Sequence, residues 1–187
     1  MATKQSRVIY QIKISLMGAK PPIWRTVLVA SDIGLSAFHD VIQVVMGWTN
    51  SHLHQFIANK TFYSVPDGDY DLETEDETQY TLAQLLTKEK DSLIYEYDFG
   101  DSWEHKILLE KILPFDTEIA LPVCLKGKRA CPPEDCGGIW GYEELIAIVL
   151  DPKHAEYEDT LEWLGGEFDP EEFDLDAIND DLTEYFQ

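Results

Sequence analysis

An α+β fold, a mainly antiparallel sheet with helices packed on one face or end, follows from three observations. Strand-type alternation fills the first two-thirds of the chain. Helix-type spacing fills the last third. No internal repeat or linker divides the 187 residues, so one domain, 1–187, is expected.

Each element can be justified in order. Val8, Tyr10, Ile12, Ile14 and Leu16 alternate with mostly polar neighbours, which is the period of a strand with one buried face. Gly18 to Pro22 supplies a turn, and IWRTVLVA (23–30) returns as the paired strand. Leu35, Phe38, Ile42, Val45 and Met46 recur at helical spacing, and Gly47 is the expected C-terminal stop. HLHQFIA (52–58) reverts to period two. An acidic loop opens at Pro66, and a short helix turns Leu82, Leu85 and Leu86 inward. SLIYEYDF (92–99) and SWEHKILLEKI (102–112) form a hairpin. The segment 114–140, rich in Pro, Gly and Cys, is expected to be irregular. GYEELIAIVLD (141–151) and EYEDTLEWLG (156–165) are expected helices. Asp169 as N-cap with Pro170 at the first position opens a tail helix that aligns Leu175, Ile178, Leu182 and Tyr185.

Composition narrows the function. A hydrophobic fraction of 44% with 12% aromatics belongs to a folded globule rather than a disordered chain. Net charge is −22, and residues 66–79 hold acids and no base. Such a surface repels phosphate backbones, and the densest basic cluster, Lys126, Lys128 and Arg129, is small. Direct nucleic-acid binding is not expected; the acidic surface suits a high-salt cytoplasm or a basic protein partner, and a small ligand is the alternative partner. The N-terminal MATKQSRVIY lacks the apolar stretch of a secretory signal, and no apolar run approaches the ~18 residues of a membrane span. A cytoplasmic protein is expected, and an odd count of three cysteines agrees with that by excluding a disulfide framework.

The chemistry-bearing residues fall in three segments. In YEYDFGDSWEHKI (95–107), Gly100-Asp101 suits a two-residue turn with glycine at positive φ. That register sets Glu96 opposite His105 and Asp98 opposite Trp103, all on one face. A carboxylate beside an imidazole fixes its tautomer and serves acid–base work or metal ligation; it equally serves as a cross-strand ion pair that holds register. In GWTNSHLHQF (47–56), His52 and His54 make an H-x-H that on a strand points both rings to one side, where they could share a metal. The alternative is a partly buried face shared with Phe56 and Ala58. In ACPPEDCGGIWGY (130–142), Cys131 and Cys136 bracket Glu134 and Asp135 in a rigid loop. Three cysteines exclude an all-cysteine zinc site, which leaves a mixed Cys/His site or a structural loop with buried thiols.

Other leads fail. PDGDYD (66–71) starts like an EF-hand, but Leu72 replaces the required glycine and Thr78 the terminal glutamate. Walker loops, dinucleotide-binding glycine loops and a nucleophile elbow are all missing from the sequence.

Taken together, GWTNSHLHQF, YEYDFGDSWEH, ACPPEDCGGIWGY and the later FDPEEFDLDAIN (168–179) resemble the Ri-plasmid open-reading-frame-three-like family, over residues 10–179. The resemblance implies an α+β domain often encoded on plasmids or insertion elements, some members being labelled TnpR-like passenger proteins of transposons. It implies no established activity or catalytic residue. The resolvase-like label does not carry over, because a serine resolvase needs a basic DNA-binding face and an arginine-surrounded serine.

The expected function is a small soluble binding or accessory protein with a polar pocket containing Asp101, Trp103, Asp135 and Cys136. The alternative is a metal-dependent hydrolase, with His52, His54 and His105 as ligands of a divalent metal such as zinc and Glu96, Asp98 or Glu134 as base; Cys131 is a further candidate ligand. A weaker alternative is an accessory factor in plasmid or transposon DNA transactions, acting through a protein partner.

Overall fold

The computed structural model describes residues 7–66 and 74–186. The EF-hand-like aspartates Asp67, Asp69 and Asp71 lie outside them. Among the described residues one eight-stranded sheet carries five helices. The α+β expectation holds.

The strands are β1 (Val8–Leu16), β2 (Trp24–Ala30), β3 (His54–Ala58), β4 (Thr61–Ser64), β5 (Thr74–Asp76), β6 (Ser92–Tyr97), β7 (Trp103–Pro114) and β8 (Val123–Lys128). Their order is β5-β4-β3-β6-β7-β1-β2-β8, antiparallel except for the parallel β4–β5 pair. The helices are α1 (Leu35–Met46), α2 (Leu82–Leu85), α3 (Gly138–Val149), α4 (Tyr157–Leu164) and α5 (Leu175–Phe186).

Alternation decides which face is buried. Tyr10, Ile12, Ile14 and Leu16 of β1, Phe56 of β3, Leu93, Tyr95 and Tyr97 of β6, and Trp103, Ile107 and Leu109 of β7 join one core. Between them Lys13, Gln55, Glu96, Glu104 and Lys106 are left partly or fully exposed, as in an antiparallel sheet covered on one side. The apolar stripe of α1 lies against the covered side, with Phe38 stacked on Phe56 at 6.2 Å between ring centroids. Gly47 ends that helix in the left-handed conformation, as expected.

Two expectations need correction. Residues 123–128 are not irregular: they form β8, paired with β2. An edge strand with Lys126, Lys128 and an exposed Leu125 shows no apolar alternation to read. The tail helix starts at Leu175, capped by Asp174, whose Oδ1 accepts the Ala177 N–H at 3.0 Å. Asp169 and Pro170 instead make a turn, in which the Pro170 carbonyl accepts the Ala130 N–H. That tertiary bond overrides a sound local helix-start signal.

The outer edge of β8 is closed by a side chain. Asn179 of α5 accepts the Cys124 N–H through Oδ1 at 2.8 Å and donates to the Cys124 carbonyl through Nδ2 at 3.0 Å. One amide side chain thereby replaces a peptide group of a missing neighbour strand. Arg25 of β2 is buried against the same region; it donates to the carbonyls of Val45, Trp24 and Lys128 and lies over the Phe173 ring.

Candidate functional site

The hairpin register differs by one residue from the expected one. Tyr97 pairs with Trp103, Glu96 with Glu104, and Tyr95 with His105. The connection is Asp98–Ser102 rather than the pair Gly100-Asp101, and the residues at positive φ are Asp98 (57°) and Ser102 (53°), not Gly100. Asp98 stabilises this loop locally: its Oδ1 accepts the Gly100 N–H at 2.9 Å, and its backbone carbonyl accepts from Ser102. Short polar side chains tolerate the left-handed region for this reason.

A one-residue slip exchanges faces. His105 and Trp103 therefore go into the core, while Glu96 goes to the opposite, exposed side, accepting from Gln55 at 2.6 Å and Ser102 at 2.8 Å. The expected Glu96–His105 and Asp98–Trp103 pairs do not form. Apolar burial decides it, since the slip buries Tyr95, Tyr97 and Trp103 together. His105 is fully buried beside Tyr95 and Trp48, and neither ring nitrogen has a well-aligned hydrogen-bond partner. Burial lowers its pKa to about 4, against a weaker opposing pull from the Trp103 and Tyr95 backbone.

His52 and His54 also part company. Strand β3 begins at His54, so the H-x-H is not on one strand face. His54 lies inside, its ring stacked on that of His39 at 3.5 Å and its Nε2 2.9 Å from the fully buried Glu77. Glu77 also accepts from Ser36. His39 closes the network, its Nδ1 2.8 Å from the Tyr95 hydroxyl and its Nε2 2.9 Å from Asn50 Oδ1. Gln43 donates to that same hydroxyl, so the hydroxyl proton points to Nδ1 and the ring proton to Asn50. His39 is thus held neutral; burial, then neighbouring His54, lowers its pKa to about 4.

His52 sits instead among carboxylates. Its Nε2 is 3.0 Å from Asp135 Oδ1, 3.7 Å from Asp98 Oδ2 and 3.8 Å from Glu134 Oε2. The Asp98 side chain is only 9% exposed. His52 Nε2 is itself shielded from solvent and, although Asp135 is close, has no aligned hydrogen-bond partner. Among the described residues, His52, Asp98 and Asp135 form a group whose ligand atoms all lie within 4.8 Å of one another. His54, His105 and Cys131 are not in it.

Three contacts bring the cysteine loop to the hairpin end. Glu134 Oε1 accepts the Thr49 N–H at 2.8 Å and the Tyr97 hydroxyl at 3.1 Å, and that hydroxyl in turn accepts the Ser51 N–H. Asp101 Oδ2 accepts the Gly137 N–H at 3.0 Å. Gly138, at φ 68°, packs so closely that a Cβ there would stand 2.6 Å from the Asp101 carbonyl oxygen. Glycine is required at 138 by this close approach, and at 137 by a left-handed φ of 94°. Tyr97, Thr49 and Ser51 were not legible as site residues, because the slipped register alone brings Tyr97 to Glu134.

Of the other expected residues, Trp103 is a core side chain against Trp48 at 5.4 Å. Burial pushes the Cys131 thiol well above its ordinary pKa and that of Cys136 up to about 12, so neither is a ready thiolate. Asp135 and Cys136 do border a cavity of about 420 Å³, a groove between α3 and α4.

A family model described as plasmid pRiA4b ORF-3-like protein matches residues 8–177, nearly the whole chain. The chain belongs to the plasmid pRiA4b ORF-3-like family. Within reach of this family, the uncharacterized protein y4hQ of Sinorhizobium fredii (strain NBRC 101917 / NGR234) is 37% identical over 182 residues, covering 94% of this chain and 92% of that protein. A crystal structure of the protein of unknown function MM3350 from Methanosarcina mazei Go1 is 39% identical, with a TM-score of 0.82 over 91% of this chain and 97% of that one. This chain therefore shares its fold with the Methanosarcina mazei protein.

Proposed function

We propose that this protein is a divalent-cation-binding accessory protein, with the ion held by His52, Asp98 and Asp135 beside Glu134. One observation carries the reading: a shielded imidazole nitrogen without an aligned hydrogen bond faces three carboxylates. A bound metal ion would give the imidazole nitrogen and the carboxylate oxygens a common partner. A tetrahedral ion with bonds of about 2.0–2.1 Å places its ligand atoms about 3.3–3.4 Å apart. The His52 separations of 3.0 Å to Asp135 and 3.7 Å to Asp98 bracket that spacing. One imidazole with carboxylate oxygens suits zinc or manganese better than a soft copper ion.

Hydrolysis is the second reading, resting on Glu134 Oε2 as a base 3.8 Å from His52 Nε2. Glu134 Oε1 already anchors Thr49 and Tyr97, which favours an anchoring role and a binding protein.

Calorimetric titration of chelator-stripped protein with zinc and with manganese tests the site. One ion per chain is expected, weakened at least ~tenfold by His52→Ala or Asp135→Asn. His54→Gln should leave it unchanged. Absence of stoichiometric binding, or an equal loss in His54→Gln, would end the reading.

A further inference from the structure

We propose that the groove between α3 and α4 docks an arginine-bearing segment of a basic protein partner. The groove has an apolar floor, Leu145 and Ile148, a rim of Glu144, Glu156 and Asp159, and Trp163 as an exposed wall. Each part matches one portion of an arginine side chain. The aliphatic stem covers apolar floor, the guanidinium pairs with carboxylates in a fixed fork, and its plane stacks on indole. A lysine offers only the first match and a point charge.

Charge complementarity is what selects this occupant. From Glu134 onward the only Lys or Arg is Lys153. Among the described residues, no rim carboxylate has a Lys, Arg or His within salt-bridge distance, unlike Glu171, which holds Arg129. Trp163 is 55% exposed on α4 and lies outside the hydrophobic core. The opposite end of the groove reaches Asp135 and Cys136, but the inference does not rest on a metal there.

Fluorescence anisotropy of a labelled oligo-arginine peptide, at about 150 mM salt where long-range attraction is screened and with chelator present, decides the matter. Saturable binding is expected, weakened about tenfold by Trp163→Ala and by the double variant Glu144→Gln/Asp159→Asn. An oligo-lysine peptide of equal length should bind more weakly, and spermine should compete poorly. The double variant Glu104→Gln/Glu118→Gln removes the same charge from exposed positions elsewhere and should bind like wild type. Equal weakening in that variant would reduce the effect to net charge and overturn the proposal. So would oligo-arginine binding that appears only when zinc is added, which would belong to the His52 cluster instead. All of these substitutions are at exposed positions, and matching melting curves confirm that each variant is folded.

Discussion

A fully buried histidine with neither nitrogen in a well-aligned hydrogen bond is an unusual core residue, and His105 has a measurable consequence. Its pKa near 4 in the folded protein lies below the ordinary value of 6.5. Between these two values the unfolded chain binds the proton and the folded chain does not, so stability rises with pH across the window and is lost as pH falls through it. At pH 5 this single group costs roughly 2 kcal/mol relative to neutral pH. His105→Leu should therefore melt above wild type at pH 5, with the gap narrowing by pH 8. A leucine variant that is equally destabilised at both pH values would mean that His105 has a partner after all. His39 titrates in the same direction for a related cause, which deepens the acid sensitivity of the wild type without altering the comparison.

At the scale of elements, the contact between hairpin and cysteine loop makes a sharper test. Gly138→Ala brings a Cβ against the Asp101 carbonyl in a left-handed conformation and should cost on the order of 1–3 kcal/mol. Gly100→Ala, which meets only Asp98 Oδ1 at 3.2 Å, should cost less. Urea denaturation of both variants orders them; the reverse order would restore the two-residue turn. This contrast also explains what sequence could convey. Strands β1, β6 and β7 and helix α1 announce themselves because each buries one face of a strong period, whereas β2 is a largely apolar run buried on both faces. The His52 cluster is half legible: the sequence marks Asp98, Glu134 and Asp135 as candidates, but their partner is one histidine, not three. The error was a single residue of register at 98–102, where Gly-Asp looked like the turn while Asp98 and Ser102 took the positive φ. Burial of Tyr97 opposite Trp103 made that choice, and no local turn signal reports it. β8 was hidden because its pairing, not its composition, makes it a strand.

For the molecule as a whole, charge is the dominant physical variable. A net charge of −22 opposes the compact state through self-repulsion, and screening relieves it. Thermal stability should therefore climb with sodium chloride between low and physiological salt; a flat or falling curve would place the repulsion in the unfolded chain instead. The same charge opposes duplex DNA. Of the small basic cluster, Arg129 is buried, ion-paired with Glu171 and donating to the Pro21 carbonyl, so only Lys126 and Lys128 remain to meet phosphate. Anisotropy titrations at physiological salt should show no duplex binding, and sub-micromolar affinity would contradict this. No described helix is long and apolar enough to cross a membrane.

The amide of Asn179 has a consequence for the order of assembly. The residue lies 55 positions after Cys124, on a helix that follows every strand in the chain. Until α5 docks, β8 carries a free donor and acceptor at the rim of an otherwise complete sheet, the arrangement by which separate chains add to one another. Docking of the last helix is thus a quality gate as well as packing: it retires a sticky rung on this edge of the sheet. Asn179→Leu keeps the helix but withdraws both bonds, and should promote concentration-dependent aggregation on heating, visible by light scattering before loss of helical signal. The wild-type chain should pass the same temperature clear.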